Sequence, residues 1–167
     1  MRLPFPPPAD TRPIVFCVRG KPVGKARPRF SSAVGTKKVH VHKKPEYEAY
    51  LKHVARTAHA AAFGKQLPRP PYWIEVIAIF KRPQRLAKAD PGRLPIDKQT
   101  TPDIDNVVGA ILDGLMLGPT GRKRQPGGPP PGIIVDDSLV NDEHTMRRYA
   151  AIDEEPHVEV MIREGDR

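Results

Sequence analysis

The sequence contains a single cysteine, Cys17, and no apolar run long enough to cross a membrane as a helix. One cysteine excludes an internal disulfide and any cysteine-rich zinc site. The residues from Met1 to Pro8 lack the apolar segment of a secretory signal peptide. Apolar residues make up 38% of the chain and aromatic residues only 6%, which is slightly lean for a globular protein. We therefore expect a soluble, cytoplasmic protein with no membrane partner.

Proline, by contrast, is abundant, with 21 prolines in 167 residues. The clusters fall at 4–8, 68–71 and 126–131. Because proline donates no backbone hydrogen bond, such clusters mark tails and loops. We expect a Pro-rich tail over residues 1–12 and a single domain over residues 13–165. The Gly- and Pro-rich stretch 118–132 cannot build a packed core, and we expect a disordered insertion there.

Acidic residues are scarce in the first 100 positions, which hold 21 Lys and Arg against 6 Asp and Glu. From residue 101 onward the balance reverses to 7 Lys and Arg against 13 Asp and Glu. A basic half attracts polyanions, whereas an acidic half holds cations. With a pI near 9.9, nucleic acid is the polyanion that fits the chain best.

Two basic segments are candidates for contact with phosphates. Gly20 to Phe30 contains two glycines and two prolines, which exclude a helix, and has no acid. It is either a phosphate-contacting loop or an ordinary solvated loop, and we favour the first. Lys81 to Gln99 is also basic and irregular, and we expect a loop beside the acidic residues. The candidate nucleic-acid-binding residues are Lys21, Lys25, Arg27, Arg29, Lys81, Arg82 and Arg85.

Hydrophobic periodicity predicts the order β-α-β-α-β-β. Alternating or short apolar runs predict strands at 13–19, 72–80, 133–137 and 158–163, with a further short candidate at 39–42. Helical spacing predicts helices over 46–63 and 101–117. The strand at 72–80 is apolar on both faces, which predicts a central position. We expect an α+β fold, also describable as mixed α/β, with a mixed sheet and two helices packed on it.

The second helix begins beside two carboxylates, Asp103 and Asp105. If residues 103–105 are extended, both point the same way, and Asp105 or Asn106 caps the helix. If Thr101 is the cap instead, the two carboxylates diverge by about 200° around the helix axis. Only the first arrangement lets both reach one ion. A simpler interpretation is that the carboxylates only complement the helix dipole.

A second acidic pair, Asp136 and Asp137, follows the apolar run that begins at Ile133. Alone, this pair is as typical of a turn as of a site. Together with Asp103 and Asp105, it offers three or four hard oxygen ligands, the type that Mg²⁺ or Mn²⁺ takes, usually with waters and substrate phosphate. The sequence therefore predicts metal-assisted phosphodiester chemistry.

Several segments resemble the RusA family of Holliday junction resolvases. They are residues 102–106 (PDIDN), 112–115 (LDGL) and 135–137 (VDD). Residues 20–22 (GKP) and 25–30 (KARPRF) are similar to the N-terminal segment of its phage-type members. The resemblance implies a homodimeric, Mg²⁺-dependent endonuclease, bacterial or phage-encoded, that cuts four-way DNA junctions symmetrically.

The resemblance also implies roles for individual residues. The catalytic acids of the family correspond to Asp103, Asp105 and Asp137, and Asp136 joins them as a metal ligand. The family usually has a lysine four residues after the second aspartate, where this chain has Gly109. Gly109 either allows close backbone packing or faces the phosphate, and we favour the second. In that case the candidates to supply the charge are Lys98, Arg122, Lys123, Arg124 and Arg147. The alternatives are a non-catalytic branched-DNA-binding protein and a nuclease acting on other branched nucleic acids.

Overall fold

The computed structural model describes residues 12–25, 29–32, 39–42, 45–67, 71–89, 96–97, 102–117 and 132–164. The strands are β1 (Ile14–Arg19), β2 (Arg29–Ser32), β3 (Val39–His42), β4 (Tyr72–Phe80), β5 (Ile96–Asp97), β6 (Val140–Tyr149) and β7 (His157–Glu164). The helices are α1 (Pro45–Ala61), α2 (Gln84–Ala89) and α3 (Ile104–Leu115). Almost all of the expected tail at 1–12 and insertion at 118–132 lies outside the described residues. No helix in the described part of the chain is long and apolar enough to span a bilayer.

Five strands form one mixed sheet in the order β1-β7-β4-β6-β5. The central strand β4 pairs antiparallel with β7 and parallel with β6. At the edges, β1 pairs antiparallel with β7 and β5 antiparallel with β6. Strands β2 and β3 form a separate antiparallel pair. The α+β class, the mixed sheet and the central position of β4 are thus confirmed.

The hydrophobic core lies between one face of the sheet and the helices α1 and α3. The sheet contributes residues that alternate along its strands, among them Phe16, Val18, Ile74, Val76, Val158, Val160 and Ile162. The helices contribute one apolar side each, including Tyr47, Leu51, Val54, Val107, Ile111 and Leu115. This is the burial that periods of two and 3.6 residues predict. Because removal of apolar surface from water stabilises the fold, it also fixes which side of α3 faces outward.

The predicted strand at 133–137 is wrong. Residues 133–135 form bends and a 3-10 turn follows at Asp137–Leu139. The side chains of Ile133 and Ile134 are buried in the core all the same. The carbonyl of Ile133 accepts a hydrogen bond from the amide of Leu67, at 2.8 Å, so this backbone bonds to a loop and not to the sheet. The apolar run indicated burial correctly and strand structure incorrectly.

Two further segments differ from the sequence-based expectation. The strand that follows the acidic pair is β6, whose ten residues (VNDEHTMRRY) are mostly polar. Its parallel pairing with β4, rather than apolar alternation, holds it in the sheet. The segment 81–99, expected to be an irregular loop, contains helix α2 and strand β5.

The other face of the sheet carries apolar side chains that the described residues leave exposed or half-exposed. Val15 is 57% exposed and Met146 is 45% exposed. A shallow groove on this face is lined by Val15, Cys17, Ile77 and Met161 together with the carboxylates Glu75 and Glu159. We call this surface, formed by Val15, Cys17, Ile77, Met146 and Met161, the open sheet face. An antiparallel sheet that faces water normally carries polar side chains there.

Candidate active site

The site begins where α3 starts. Asp103 is the N-cap, with extended backbone angles (φ −66°, ψ 149°), and its side chain makes no capping hydrogen bond. The helix therefore begins at Ile104, between the two starts that the sequence left open. The extended 103–105 segment, expected to point both carboxylates the same way, is not observed, because Asp105 is already helical. Asp105 lies in the first helical turn, and both carboxylates are exposed. An N-cap carboxylate that bonds no helix amide keeps its oxygens for other partners.

Strand β6 lies next to this helix start and presents polar side chains on its core-facing side. Glu143, Thr145 and Arg147 alternate along β6 opposite the buried residues Ile74, Val76 and Ala78 of β4. They replace the apolar residues that this side of the sheet carries elsewhere. A row of polar side chains at the margin of a core is typical of a functional site, since burial of such groups costs free energy.

Arg147 ties β6 to the start of α3. Its guanidinium donates a hydrogen bond to the carbonyl of Pro102 at 3.1 Å. The same nitrogen lies 3.7 Å from Oδ1 of Asp103, whose side chain is 66% exposed. Arg147 thus partly balances the charge of Asp103 and fixes the backbone before it. The sequence named Arg147 only as a candidate cation.

Glu143 is a carboxylate that the sequence analysis missed. Burial raises the pKa of Glu143, and the negative charge of Asp105 raises it further. The two carboxylates are therefore close enough to repel each other. The only available signal was the position of Glu143 in the acidic half of the chain, because no motif marked it and β6 itself was not predicted.

The second acidic pair lies at the 3-10 turn that leads into β6. The carboxylate of Asp136 accepts a hydrogen bond from the amide of Ser138 at 2.9 Å. The hydrogen bond from the Ser138 hydroxyl, and after it the one from the amide, lowers the pKa of Asp136. Asp136 and Asp137 are both exposed. Among the described residues, no group of three or more Asp, Glu, His or Cys lies close enough to hold a metal ion. The assignment of Asp103, Asp105, Asp136 and Asp137 as ligands stays a prediction.

The chemistry of this donor set fits a divalent cation. All its members are carboxylates, the hard oxygen ligands of Mg²⁺ and Mn²⁺. A cation between Asp105 and Glu143 would also relieve the repulsion that raises the pKa of Glu143. Asp105 and Glu143 are the two carboxylates that such an ion would bridge, and the assignment of Asp103 as a further ligand stays a prediction.

The candidate nucleic-acid contacts differ in their surroundings. Lys21, Lys81 and Arg85 are exposed. Arg82 instead donates a hydrogen bond from Nε to the carbonyl of Ala150 at 3.1 Å, which ties it to the end of β6. Arg27 and the side chain of Arg29 lie outside what the structure describes. The nucleic-acid-binding assignment stays a prediction for all seven.

Lys25 lies against α3 beside Gly109. A Cβ atom added at Gly109 would lie 3.1 Å from Cδ of Lys25 and 3.7 Å from its Cβ. The basic residue that packs over Gly109 is therefore Lys25. From sequence, Lys25 was expected in a phosphate-contacting loop and was not among the candidates for this position. Lys98 and residues 122–124, four of the candidates named from sequence, lie outside the described residues.

A mixed sheet with a helix start rich in exposed carboxylates, in a chain with a basic half, has the features of a nuclease. The sequence matches the family described as endodeoxyribonuclease RusA over residues 19–125. It is also 30% identical over 156 residues to the uncharacterized protein YqaN of Bacillus subtilis (strain 168), covering 90% of this chain and 96% of that protein. The chain belongs to the RusA family of endodeoxyribonucleases. The matched region contains Asp103 and Asp105 and ends before Asp136.

Proposed function

We propose that this protein resolves Holliday junctions by divalent-metal-dependent hydrolysis of two symmetrically placed phosphodiesters, as a homodimer. The observation that carries this proposal is the start of α3. There, two exposed carboxylates lie beside Arg147 and Glu143 of β6, in a chain of an endodeoxyribonuclease family. A phosphodiester needs an activated water and a stabilised leaving oxygen, and carboxylate-bound Mg²⁺ or Mn²⁺ supplies both when it is present.

The residues around the helix start have different roles in binding the ion and orienting its ligands. Asp103 and Asp105 bind the ion, and their exposure leaves room for a phosphate beside it. Arg147 fixes the backbone at Pro102 and so the orientation of Asp103. Glu143 adds negative charge on the side of β6, which favours cation binding. Asp137, and Asp136 beside it, complete the ligand set if the turn before β6 closes on the ion.

Binding of DNA rests on the basic half of the chain. Lys21 and Lys25 belong to the loop that follows β1, and Lys81 and Arg85 to the segment after β4. Contacts from such side chains go mainly to phosphates and fix the position of a duplex without reading its sequence. This suits an enzyme that recognises a branched shape.

Symmetric resolution requires two active sites related by a two-fold axis. The open sheet face supports the homodimer, because two such faces would bury the exposed side chains of Val15 and Met146 against their copies. A two-fold contact pairs one surface with itself, so this one face, which carries Glu75 and Glu159 beside its apolar side chains, would meet its own copy. We propose this face as the dimer interface.

The test is cleavage of a strand-labelled four-way junction by the pure protein with Mg²⁺, with Mn²⁺ and with EDTA. We expect paired nicks at symmetric positions with either ion and none with EDTA. Linear duplex, three-way DNA and a matched RNA junction should be cut much more slowly. Preferred cleavage of another substrate would favour the nuclease of other branched nucleic acids. Tight junction binding without cleavage would favour the non-catalytic binding protein.

A further inference from the structure

The segment that follows β1 crosses α3 at very short range. The amide of Lys25 donates to the carbonyl of Asn106 at 2.7 Å. A Cβ atom added at Gly24 would lie 3.1 Å from Cβ of Pro102 and 3.3 Å from Cβ of Asn106. A side chain at position 24 would force Pro102 and Asn106 to move by a few tenths of an ångström, so glycine suits this close approach. The segment is thus attached to the turn of α3 that carries Asp105.

The side chain of Lys25 then runs along α3. Its methylenes lie over Gly109, where the absent side chain leaves room for them. Its ammonium donates to Oδ1 of Asp113 at 3.0 Å. The side chain of Lys25 is 50% exposed. An ammonium has three donors and Asp113 takes one, so the half-exposed Lys25 has donors left that can bind a phosphate.

Asp113 is also hydrogen-bonded by Tyr47 of α1. The buried hydroxyl of Tyr47 donates to Oδ2 of Asp113 at 2.7 Å. Burial raises the pKa of Tyr47, and the bond to Asp113 raises it further, so the hydroxyl keeps its proton and remains a donor. Each carboxylate oxygen of Asp113 thus has one partner, and the carboxylate cannot turn without losing one.

These contacts place a fixed positive charge in line with the candidate metal ligands. Asp105, Gly109 and Asp113 are four residues apart in sequence and lie on one side of α3. Eight residues of helix correspond to about 12 Å along the axis. At 3.4 Å per nucleotide along one strand, that length spans three to four nucleotides. A strand that lies along α3 with one phosphate at Asp105 brings a phosphate about three to four nucleotides away to Lys25.

We propose that Asp113 is a positioning residue, which with Tyr47 holds the Lys25 ammonium against α3 so that it binds a DNA phosphate a few nucleotides from the one that is cut. The proposal rests on the nuclease function proposed above. An exposed ion pair contributes little to stability. Stability alone therefore does not explain the network of Tyr47, Asp113 and Lys25. Gly109 belongs to it because a larger side chain would push the lysine outward.

The decisive experiment is a double-mutant cycle on single-turnover cleavage of a four-way junction at saturating enzyme and Mg²⁺. Lys25→Met and Asp113→Asn should each slow cleavage about ten-fold, which is less than the roughly 100-fold that a 1 Å misplacement of the substrate can cost. The double variant should be no slower than Lys25→Met, because Asp113 acts through Lys25. Asp153→Asn, the same change in a remote turn, should cleave at the wild-type rate.

Salt dependence of junction binding separates the two roles. Lys25→Met should reduce the slope of log affinity against log salt by about 0.9, the value for one phosphate contact. Asp113→Asn keeps the lysine and should leave that slope unchanged. Multiplicative rate losses in the double variant, or a wild-type rate for Asp113→Asn, would overturn the proposal.

A chemical readout tests the geometry without any cleavage. An amine-acylating reagent followed by peptide mass spectrometry should label Lys25 several-fold more slowly in the wild type than in Asp113→Asn or Tyr47→Phe. Gly109→Ala, which keeps the network residues and favours the helix, should also speed labelling. Bound junction should protect Lys25 in the wild type.

The two proposals fail in different ways. Equal labelling of Lys25 in all four proteins would show that Asp113 does not hold it, whatever the activity. If the labelling is as expected but the protein cuts no branched DNA, the proposed function is wrong. The contact of Lys25 with Asp113 would still be supported. Labelling as expected with no protection by the junction would overturn the assignment of a phosphate to Lys25.

Discussion

The guanidinium of Arg147 reaches from β6 to the start of α3, where it bonds the carbonyl of Pro102 and lies 3.7 Å from the carboxylate of Asp103. A strand without apolar alternation and the helix with the strongest apolar pattern thus meet at the candidate site. The site depends on this contact between β6 and α3, because neither element alone orients the side chain of Asp103.

Replacement of Arg147 by glutamine should therefore impair both fold and activity. We expect a loss of about 1–2 kcal/mol in the free energy of unfolding, as for a hydrogen bond from a charged donor. Single-turnover cleavage should fall about ten-fold or more because Asp103 loses its orientation. Urea denaturation and junction cleavage measure the two effects. Arg163→Gln removes the same charge from the side chain that stacks on Trp73, and equal rate losses in both variants would contradict the role of Arg147.

Glu143→Gln should make the protein more stable in EDTA and less responsive to Mg²⁺. The carboxylate of Glu143 is disfavoured by burial and by Asp105, so its neutral replacement removes an unfavourable charge. We expect a rise in Tm of roughly 1–2 °C in EDTA, in the range for exposed charge interactions in a chain of this length. Mg²⁺ should raise the Tm of the wild type more than that of the variant. An equal Mg²⁺ shift in both would place Glu143 outside the ion site.

The pair of Arg148 and Glu154 makes stability depend on pH. Arg148 donates to both carboxylate oxygens of Glu154, at 2.5 and 2.6 Å, and lowers the pKa of Glu154 to about 2. A carboxylate with a lowered pKa stabilises the fold above its ordinary pKa of 4.5, and this contribution is lost as the pH falls from there towards 2. Glu154→Gln should therefore be less stable than the wild type at pH 7, and the two should converge in acid. Urea denaturation at pH 7, 5 and 3 measures this, with Glu155→Gln as the exposed control. A constant difference across the pH range would contradict the assignment.

The open sheet face should control the oligomeric state. Val15→Lys combined with Met146→Lys places two charges on it, and we expect a folded monomer where the wild type is a dimer. Sedimentation equilibrium measures the mass, and circular dichroism checks the fold. Phe63→Lys changes another exposed apolar side chain, at the end of α1, and should leave the dimer intact. A dimeric double variant, or a monomeric wild type, would remove this face as the interface.

Hydrophobic periodicity was sufficient to predict α1, β4, α3 and β7, because each buries a regular side against the core. It could not predict β6, whose Glu143 and Arg147 occupy core-facing positions next to the site. It also misjudged the run at Ile133, since burial of side chains does not require a sheet partner for the backbone. The structure of β6 and of the run at Ile133 depends on strand pairing and on the needs of the site, which the local sequence pattern does not show.

As candidate metal ligands, a role that stays a prediction, Asp103 and Asp105 were identified from sequence because they form a compact motif at the start of a helix. Their setting was not, since it depends on contacts between residues far apart in the chain. The ion pair of Lys25 with Asp113 joins positions separated by 88 residues. The bond from Tyr47 to Asp113 spans 66 residues. The reason for a glycine at position 109 is visible only in the folded chain, where the side chain of Lys25 packs over it.

The most direct test of this account compares binding and cleavage in Asp103→Asn and Asp105→Asn. Each change removes a proposed metal ligand and one negative charge that repels DNA phosphates. We expect both variants to bind the four-way junction in EDTA as tightly as the wild type or more tightly, and to lose at least about 100-fold in single-turnover cleavage with Mg²⁺. Folded variants that cleave at near the wild-type rate would contradict the assignment of this helix start as the active site.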